Sequence, residues 1–185
     1  MDAIPLPDPP LTDGGLLLRY RSKADLDALV AALQDPEIPR WTNVPSPYTL
    51  DTAREFLALS EEQRLAGAHL NLLVSDAATG TLLGAVGLMR EETAPDVGEI
   101  GYWTAREARG RGVCPRAVVL IRDWGVRALG LRRVEILVDA ENVPSQRVAE
   151  KAGFTDTGEV RVAPRVEGAT GLTHRAYAWE PTSAA

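Results

Sequence analysis

A strand–helix–strand succession in the middle of the chain constrains the fold more than any other feature of the sequence. Val97–Ala105 ("VGEIGYWTA") and Val134–Asp139 ("VEILVD") are apolar segments of strand length. Between them, a helix starting at Pro115 would place five apolar residues on one side: Val118, Ile121, Trp124, Ala128 and Leu129. Two strands joined through a helix are parallel, with a right-handed crossover. The sequence therefore predicts at least one parallel strand pair.

The segments on either side predict antiparallel strands. Leu16–Arg21 is a first strand, His69–Ser75 and Thr81–Arg90 form a hairpin around "DAATG", and residues 158–166 and 173–180 close the chain. Helices are predicted after Ser22, through Ala53–Leu57 and from Pro144 or Ser145. The proline-rich residues 35–50 are predicted to be a long loop, and "SEEQ" (Ser60–Gln63) is a capping-box pattern that would start another turn. We therefore expect an α/β (α+β) fold: a mixed, mostly antiparallel, twisted sheet of about seven strands flanked by about four helices.

Length and composition predict one domain and exclude several classes of protein. The 185 residues are 45% hydrophobic and 25% charged, which is enough for one packed domain over residues 16–180. Residues 1–15 hold four prolines and are predicted to be a flexible arm, and residues 181–185 a tail. The net charge of -6 argues against a nucleic-acid partner. The two histidines are too far apart in the sequence to suggest a metal site.

The same features predict a cytoplasmic protein. Cys114 is the only cysteine, so no intrachain disulfide can form, which fits a reducing compartment. The N-terminal residues have neither the basic nor the apolar region of a signal peptide. No apolar run approaches the roughly 20 residues that span a bilayer, so no membrane partner is expected.

The stretch Arg109–Gly112 ("RGRG") lies between the predicted strand and the predicted helix start. Glycines allow a ligand to approach the backbone closely, and the N–H groups at a helix N-terminus favour anions. Arginine side chains add forked donors that suit phosphate. The stretch lacks the spacing of a Walker loop and of a dinucleotide fingerprint. It therefore predicts a site for a diphosphate, with RNA contact by an "RGRG" segment as a weaker alternative.

In this stretch the chain resembles the GCN5-related N-acetyltransferases (GNAT). Their acetyl-CoA loop reads Gln/Arg-x-x-Gly-x-Gly/Ala between a strand and a helix, and here it corresponds to Arg109–Cys114. The likeness extends to "GEIGYWTAREARGRGV", "LGLRRVEILVDAENVPSQRVAEKAGF" and "DPEIPRWTNVPSPYTLDTAREFL", which look like the Rim-type branch that acetylates ribosomal-protein N-termini. Two positions depart from the pattern: Cys114 replaces Gly or Ala, and Pro115 removes one N–H donor, so cofactor affinity should be lower.

The resemblance implies acetyl-CoA as cofactor, in a cleft where the strand at Val97–Ala105 splays from the strand at Val134–Asp139. A backbone N–H near residues 100–102 would polarise the thioester carbonyl. Glu99 would act as the base through a water, and Ser145 would donate a hydrogen bond to the thiolate. The residues implied in cofactor binding are Tyr102, Trp103, Thr104, Arg109, Gly110, Arg111, Gly112, Val113, Cys114, Asn142 and Ser145. The plain alternatives are a solvated Glu99 and helix capping by Asn142 and Ser145.

The acceptor would be a primary amine, on a protein or peptide N-terminus or on a small molecule. Arg40, Trp41, Tyr48 and Glu99 are predicted to contact it, with packing as the alternative for each of the first three. An acyl relay through Cys114 is a further alternative that the family's direct transfer disfavours. Three readings stay open: a non-catalytic acyl-CoA-binding module, an enzyme using a longer acyl-CoA such as succinyl-CoA, and a homodimer through exposed strand edges.

Overall fold

The structure is a computed structural model that describes residues 1–163 and 172–181. One eight-stranded sheet runs through this part of the chain in the order β1-β2-β3-β4-β5-β6-β8-β7. The strands are β1 (Leu11–Thr12), β2 (Leu16–Tyr20), β3 (His69–Asp76), β4 (Leu82–Glu91), β5 (Ala94–Thr104), β6 (Arg133–Asp139), β7 (Thr155–Ala163) and β8 (Leu172–Trp179). The helices are α1 (Leu26–Ala32), α2 (Glu37–Trp41), α3 (Leu50–Leu65), α4 (Val113–Leu129) and α5 (Val143–Lys151), with 3-10 turns at Lys23–Asp25 and Arg106–Ala108.

The strand pairing confirms the mixed, mostly antiparallel sheet. Every neighbouring pair is antiparallel except β5 and β6, which are parallel and joined through α4. These two strands pair only from Val97 to Glu99 on the β5 side, although β5 continues to Thr104 and β6 continues to Asp139. The central strands therefore diverge after Glu99, as the resemblance implied, and leave a gap in the sheet.

The two faces of the sheet carry separate hydrophobic clusters. Ile100, Val86 and Leu72 belong to the larger cluster, which contains the buried face of α4. Leu73 and Ala85 belong to a smaller cluster with residues of α1, α2 and α3. Because successive side chains of a strand point to opposite faces, Ile100 and Tyr102 of β5 face the α4 and α5 side. Glu99, Gly101 and Trp103 face the α1, α2 and α3 side.

Several element boundaries correct the sequence predictions. Helix α4 begins at Val113 rather than at Pro115, because Gly112 adopts φ +72° and turns the chain into the helix two residues earlier. The proline-rich stretch predicted as a loop contains α2. The "SEEQ" segment does not start a new turn, since buried Ser60 donates to the Phe56 carbonyl (2.7 Å) inside the continuous α3.

The first 15 residues supply an eighth strand and part of the core. Ile4 is fully buried, its N–H donates to the Arg64 carbonyl (2.9 Å), and β1 pairs with β2. Asp13 forms an ion pair with Arg116 of α4 (2.6 Å). The division into a domain over residues 16–180 and flanking segments stays a prediction. Residues 164–166 of the predicted penultimate strand, and 182–185 of the predicted tail, lie outside the described residues.

Candidate active site

The gap between β5 and β6 opens into a cleft of about 830 Å³. Its walls are the diverging ends of the two strands, residues 99–104 and 136–139, together with the N-termini of α4 and α5. Residues of α1, α2 and the following loop close the opposite end. The segments implied by the family resemblance are therefore brought together around one cavity.

The glycine turn before α4 has the geometry of an anion site. Gly110 (φ +74°) and Gly112 (φ +72°) both adopt left-handed backbone, and a Cβ built on either would meet no atom within 4 Å. No side chain caps α4, so the N–H groups of Val113 and Cys114 in its first turn are free of a capping partner. Pro115 is the third residue of the helix and supplies no N–H. The turn thus combines open space with free donors and the positive end of the helix dipole.

The two arginines of this turn are placed differently from each other. Arg109 lines the cleft and forms an ion pair with the buried carboxylate of Asp35 (2.6 Å). Asp35 lies in the loop that follows α1, so this loop fixes the position of the Arg109 guanidinium. Arg111 is exposed and is not among the residues that line the cleft. Contact of either arginine with a diphosphate stays a prediction.

Cys114 is a buried residue at the start of α4. Burial raises the pKa of its thiol to about 12, against a smaller lowering effect of the hydrogen bond with Thr104. A thiol with this pKa stays protonated at neutral pH and is a poor nucleophile. The alternative of an acyl relay through Cys114 is therefore disfavoured by its surroundings.

A hydroxyl pair joins the two sides of the cleft. Tyr102 Oη of β5 lies 2.8 Å from Ser145 Oγ of α5, and it also donates to the Ser145 carbonyl (3.2 Å). Asn142 Oδ1 accepts from the Ser145 N–H (3.2 Å), so Asn142 caps α5 as the plain alternative supposed. No local sequence pattern predicts this bond, because the two residues are 43 positions apart.

Glu99 lies at the last paired position of β5, where the gap begins. Burial raises the pKa of its carboxyl, Glu135 at the adjacent position of β6 raises it further, and Arg161 lowers it. Glu135 itself is bound by Arg133 and Arg161, each at 2.6 Å, whereas no ion pair is formed by Glu99 within residues 1–163 and 172–181. Glu99 is therefore a half-buried carboxylate with raised proton affinity that faces the cleft.

The residues predicted to contact the acceptor have mixed placements. Trp41 lines the cleft and its Nε1 donates to Glu37 Oε2 (3.3 Å). Tyr48 also lines the cleft, but it is 5% exposed and belongs to the smaller hydrophobic cluster, so most of its side chain packs in the core. Arg40 stacks over the Trp41 ring (4.6 Å) and does not line the cleft.

Three polar side chains that the sequence analysis did not assign lie at this same end. Arg21, His69 and Asn71 line the cleft on the face of the sheet that carries Glu99. His69 and Asn71 sit above Gly87, where a Cβ would come within 2.7 Å of His69 Nε2 and 2.9 Å of Asn71 Oδ1. Their sequence signal was the polar residues at alternate positions of the otherwise apolar "HLNLLVS".

The described part of the chain has neither a membrane-spanning helix nor a metal-binding cluster. None of its helices combines the length and the apolar character needed to cross a bilayer. Within residues 1–163 and 172–181, no three His, Cys, Asp or Glu side chains are grouped so that they could hold a metal ion.

Comparison with known proteins gives consistent matches. The family model described as "Acetyltransferase (GNAT) domain" matches residues 15–155. The uncharacterized N-acetyltransferase p20 of Bacillus licheniformis is 28% identical over 154 residues, covering 83% of this chain and 86% of that protein. The fold is similar to Mycobacterium smegmatis RimJ in complex with CoA-disulfide (TM-score 0.80, 22% identity, covering 92% of this chain and 85% of RimJ). It is also similar to the microcin C7 self-immunity acetyltransferase MccE in complex with acetyl-CoA and AMP (TM-score 0.78, 19% identity, covering 92% and 97%).

Proposed function

The chain belongs to the GNAT acetyltransferase family, and we propose that it moves the acetyl group of acetyl-CoA onto the α-amine of an amino acid, a peptide or a protein N-terminus. The observation that carries this proposal is the divergence of β5 and β6 immediately after Glu99. The gap places a carboxylate at one end of a cleft and an open helix N-terminus at the other. Donor and acceptor could therefore meet inside the sheet.

The residues present fit coenzyme A. The turn at Gly110 and Gly112 offers free N–H groups and open space to a diphosphate, because no atom lies within 4 Å of either built Cβ. The edge of β5 from residue 100 to residue 104 has no partner strand on the β6 side, so its backbone groups are available to the pantetheine arm. When bound there, acetyl-CoA would supply an acetyl group activated as a thioester.

Glu99 is proposed as the general base. An α-amine has a pKa of about 7.7–8.0, so a modest base is sufficient to take its proton, directly or through a water. Burial and the neighbouring Glu135 raise the pKa of Glu99, which increases the proton affinity of its carboxylate. As the new C–N bond forms and the C–S bond breaks, the proton of the amine passes to the Glu99 carboxylate.

Ser145 is proposed to stabilise the departing sulfur. Its Oγ accepts the Tyr102 Oη proton (2.8 Å) when that proton turns away from the Ser145 carbonyl, and its position is fixed by the Asn142 cap, so the Ser145 proton is free to point into the cleft. A hydroxyl that donates to a developing thiolate lowers the barrier for breaking the C–S bond. Burial raises the pKa of Tyr102 above its usual range, which keeps this hydroxyl protonated and able to donate to Ser145.

The test is release of free CoA from acetyl-CoA in the presence of a panel of amino acids and peptides, with acetylated products identified by mass spectrometry. Glu99→Gln should lower kcat by about 10²- to 10⁴-fold, the range for loss of a general base. Ser145→Ala should also lower kcat, with the affinity for CoA retained. Glu62→Gln, which alters an exposed carboxyl on α3 away from the cleft, is the matched control.

The alternatives give different results in the same assay. A non-catalytic binding module would bind acetyl-CoA in calorimetry and release no CoA with any amine. An enzyme for a longer acyl group would turn over succinyl-CoA faster than acetyl-CoA. Wild-type rates in both Glu99→Gln and Ser145→Ala would contradict the assigned roles.

A further inference from the structure

The guanidinium of Arg21 is a buried cation without an anionic partner. Arg21 is 6% exposed, and its Nε is fully buried with no hydrogen-bond partner. Within the described part of the chain, its guanidinium makes neither a hydrogen bond nor an ion pair, and its one specific contact is with the ring of Phe56 (4.5 Å). Burying a charge without a partner is costly, so a buried arginine in this state calls for a ligand or another explanation.

Among the described residues, the one other buried arginine, Arg122, is satisfied, and so is the more exposed Arg19. Arg122, 9% exposed, donates to the Ala152 carbonyl (2.6 Å) and pairs with Asp123 (2.7 Å). Arg19 forms a two-pronged pair with Asp25 (2.6 and 2.9 Å). Burial lowers the pKa of Arg21 to about 10, so it is still charged at neutral pH. The four N–H donors of its two terminal nitrogens are thus available in the cleft that it lines.

The surroundings of Arg21 form a hollow on the sheet. Arg21 directly follows Tyr20, the partner of Leu72, and therefore lies beside Asn71. Asn71 Nδ2 is also fully buried without a partner. Gly87 and Gly101 are opposite each other on β4 and β5 and contribute no side chains. The side chains of His69 and Asn71 lie over Gly87, whereas a Cβ built on Gly101 would meet only Met89 Cε, at 3.5 Å, so the hollow is open over Gly101. We call the space bounded by Arg21, Asn71, Gly87, Gly101 and Glu99 the acceptor pocket.

We propose that the acceptor pocket binds an amine that also carries a carboxylate, with Arg21 and Asn71 Nδ2 donating to the carboxylate and Glu99 facing the amine. This inference rests on the proposed function and narrows its substrate class. A guanidinium fork matches a carboxylate in two parallel hydrogen bonds, and the buried Asn71 amide adds a third donor. Burial, reinforced by Arg21, lowers the pKa of His69 to about 4, so His69 is neutral and adds no competing charge. The carboxylate belongs either to a free amino acid or to an acidic residue next to a peptide N-terminus.

The experiment compares acceptors that differ only in this group. The pairs are alanine against alaninamide, for an α-carboxylate, and the amidated dipeptides Ala-Asp against Ala-Asn, for a side-chain carboxylate. Rates of CoA release from acetyl-CoA give kcat/KM for each member. For at least one pair, the acid should exceed the amide by about 10- to 100-fold, the discrimination expected of charge-assisted hydrogen bonds. Which pair discriminates identifies the source of the carboxylate.

Arg21→Met is the test variant, because methionine keeps an apolar stem against Phe56 and removes the donors. The ratio of acid to amide should fall to about one, while Arg21→Lys, which keeps the charge but not the fork, should give an intermediate ratio. Arg54→Met, an exposed arginine of α3, is the matched control and should keep the wild-type ratio. Circular dichroism and CoA affinity show whether each variant is folded.

The inference can also be tested without turnover. Saturation-transfer NMR measures binding of the same probes to the CoA-saturated protein. Arg21-dependent binding of an acid over its amide, with no acetylation of any acceptor, would support the pocket and overturn the proposed function. Equal use or equal binding of acids and amides by the wild type would overturn the pocket. So would an undiminished preference for the acid in Arg21→Met, since Arg21 would then have only its packing role.

Discussion

Gly112→Ala should separate the stability of helix α4 from its capacity to bind coenzyme A. The helix carries a matched control at its other end, because Gly112 and Gly130 are the residues that flank α4 on either side. Both have left-handed backbone, φ +72° and φ +67°, and a Cβ on either would meet nothing within 4 Å. Alanine at either position therefore brings the same backbone strain and no clash.

The expected stability loss is the cost of placing an L side chain in left-handed backbone, roughly 1–2 kcal/mol. For a domain of this size, each kcal/mol lowers Tm by about 2–4 °C, so both variants should melt about 2–8 °C below the wild type. Only Gly112→Ala places a methyl group beside the free N–H groups at the start of α4. If the diphosphate approaches there, its Kd for CoA should rise at least about tenfold, a loss of about 1.4 kcal/mol.

Thermal unfolding followed by circular dichroism gives the two Tm values, and isothermal titration calorimetry with CoA gives the two Kd values. The reasoning requires similar Tm values and different affinities, with Gly130→Ala binding CoA like the wild type. If both variants retain the wild-type Kd, the diphosphate does not approach the amides at Gly112. In that event the glycines serve only to turn the chain between β5 and α4.

Three further predictions follow from the titrating groups. The rate of acetyl transfer should rise with pH, and the pKa of this acid limb should lie above the ordinary pKa of glutamate, because burial and Glu135 raise the pKa of Glu99. A pH–rate profile of Glu99→Gln that keeps this limb would contradict the assignment. The pKa of His69 is lowered from 6.5 to about 4, so the folded state binds fewer protons than the unfolded state between these two pH values. The free energy of unfolding should therefore fall as the pH drops from about 6.5 towards 4, by at most about 1.4 kcal/mol per pH unit. Urea titrations at pH 7 and pH 5 should show a smaller loss in His69→Gln, and equal losses would exclude this origin. Iodoacetamide should leave Cys114 unmodified in the native protein at pH 8 and alkylate it in urea, since burial raises the pKa of this thiol to about 12; rapid labelling of the native protein would contradict its burial.

The sequence predicted correctly those helices and strands in which apolar residues recur at a regular spacing. Val134–Asp139 and the helix containing Val118 and Ile121 were found because apolar residues recur at strand or helix spacing. Strand β1 was missed because two residues, Leu11 and Thr12, show no period at all; the strand exists through its pairing with β2. The start of α4 was misplaced because proline favours the first helical position, whereas the backbone of Gly112 already begins the turn.

The candidate site divides in a similar way. Its glycine turn and the position of Glu99, the proposed base, could be expected from spacing and from the family resemblance, because both lie on one continuous segment. The Tyr102–Ser145 bond and the pairing of Arg109 with Asp35 could not, since they join residues 43 and 74 positions apart and depend on how β5, α5 and α1 are packed. Arg21 was not assigned a role because a lone arginine at the end of a strand ordinarily faces water.

The alternation of side chains along β5 has a kinetic consequence. Tyr102 lies on one face of the sheet and Glu99 on the other, and the cleft connects the two faces where β5 and β6 diverge beyond residue 99. If acetyl-CoA occupies the side of Tyr102 and the amine the side of Glu99, as proposed, neither substrate must leave before the other arrives. Double-reciprocal plots should accordingly intersect rather than run parallel. Free CoA should inhibit competitively against acetyl-CoA and not competitively against the amine.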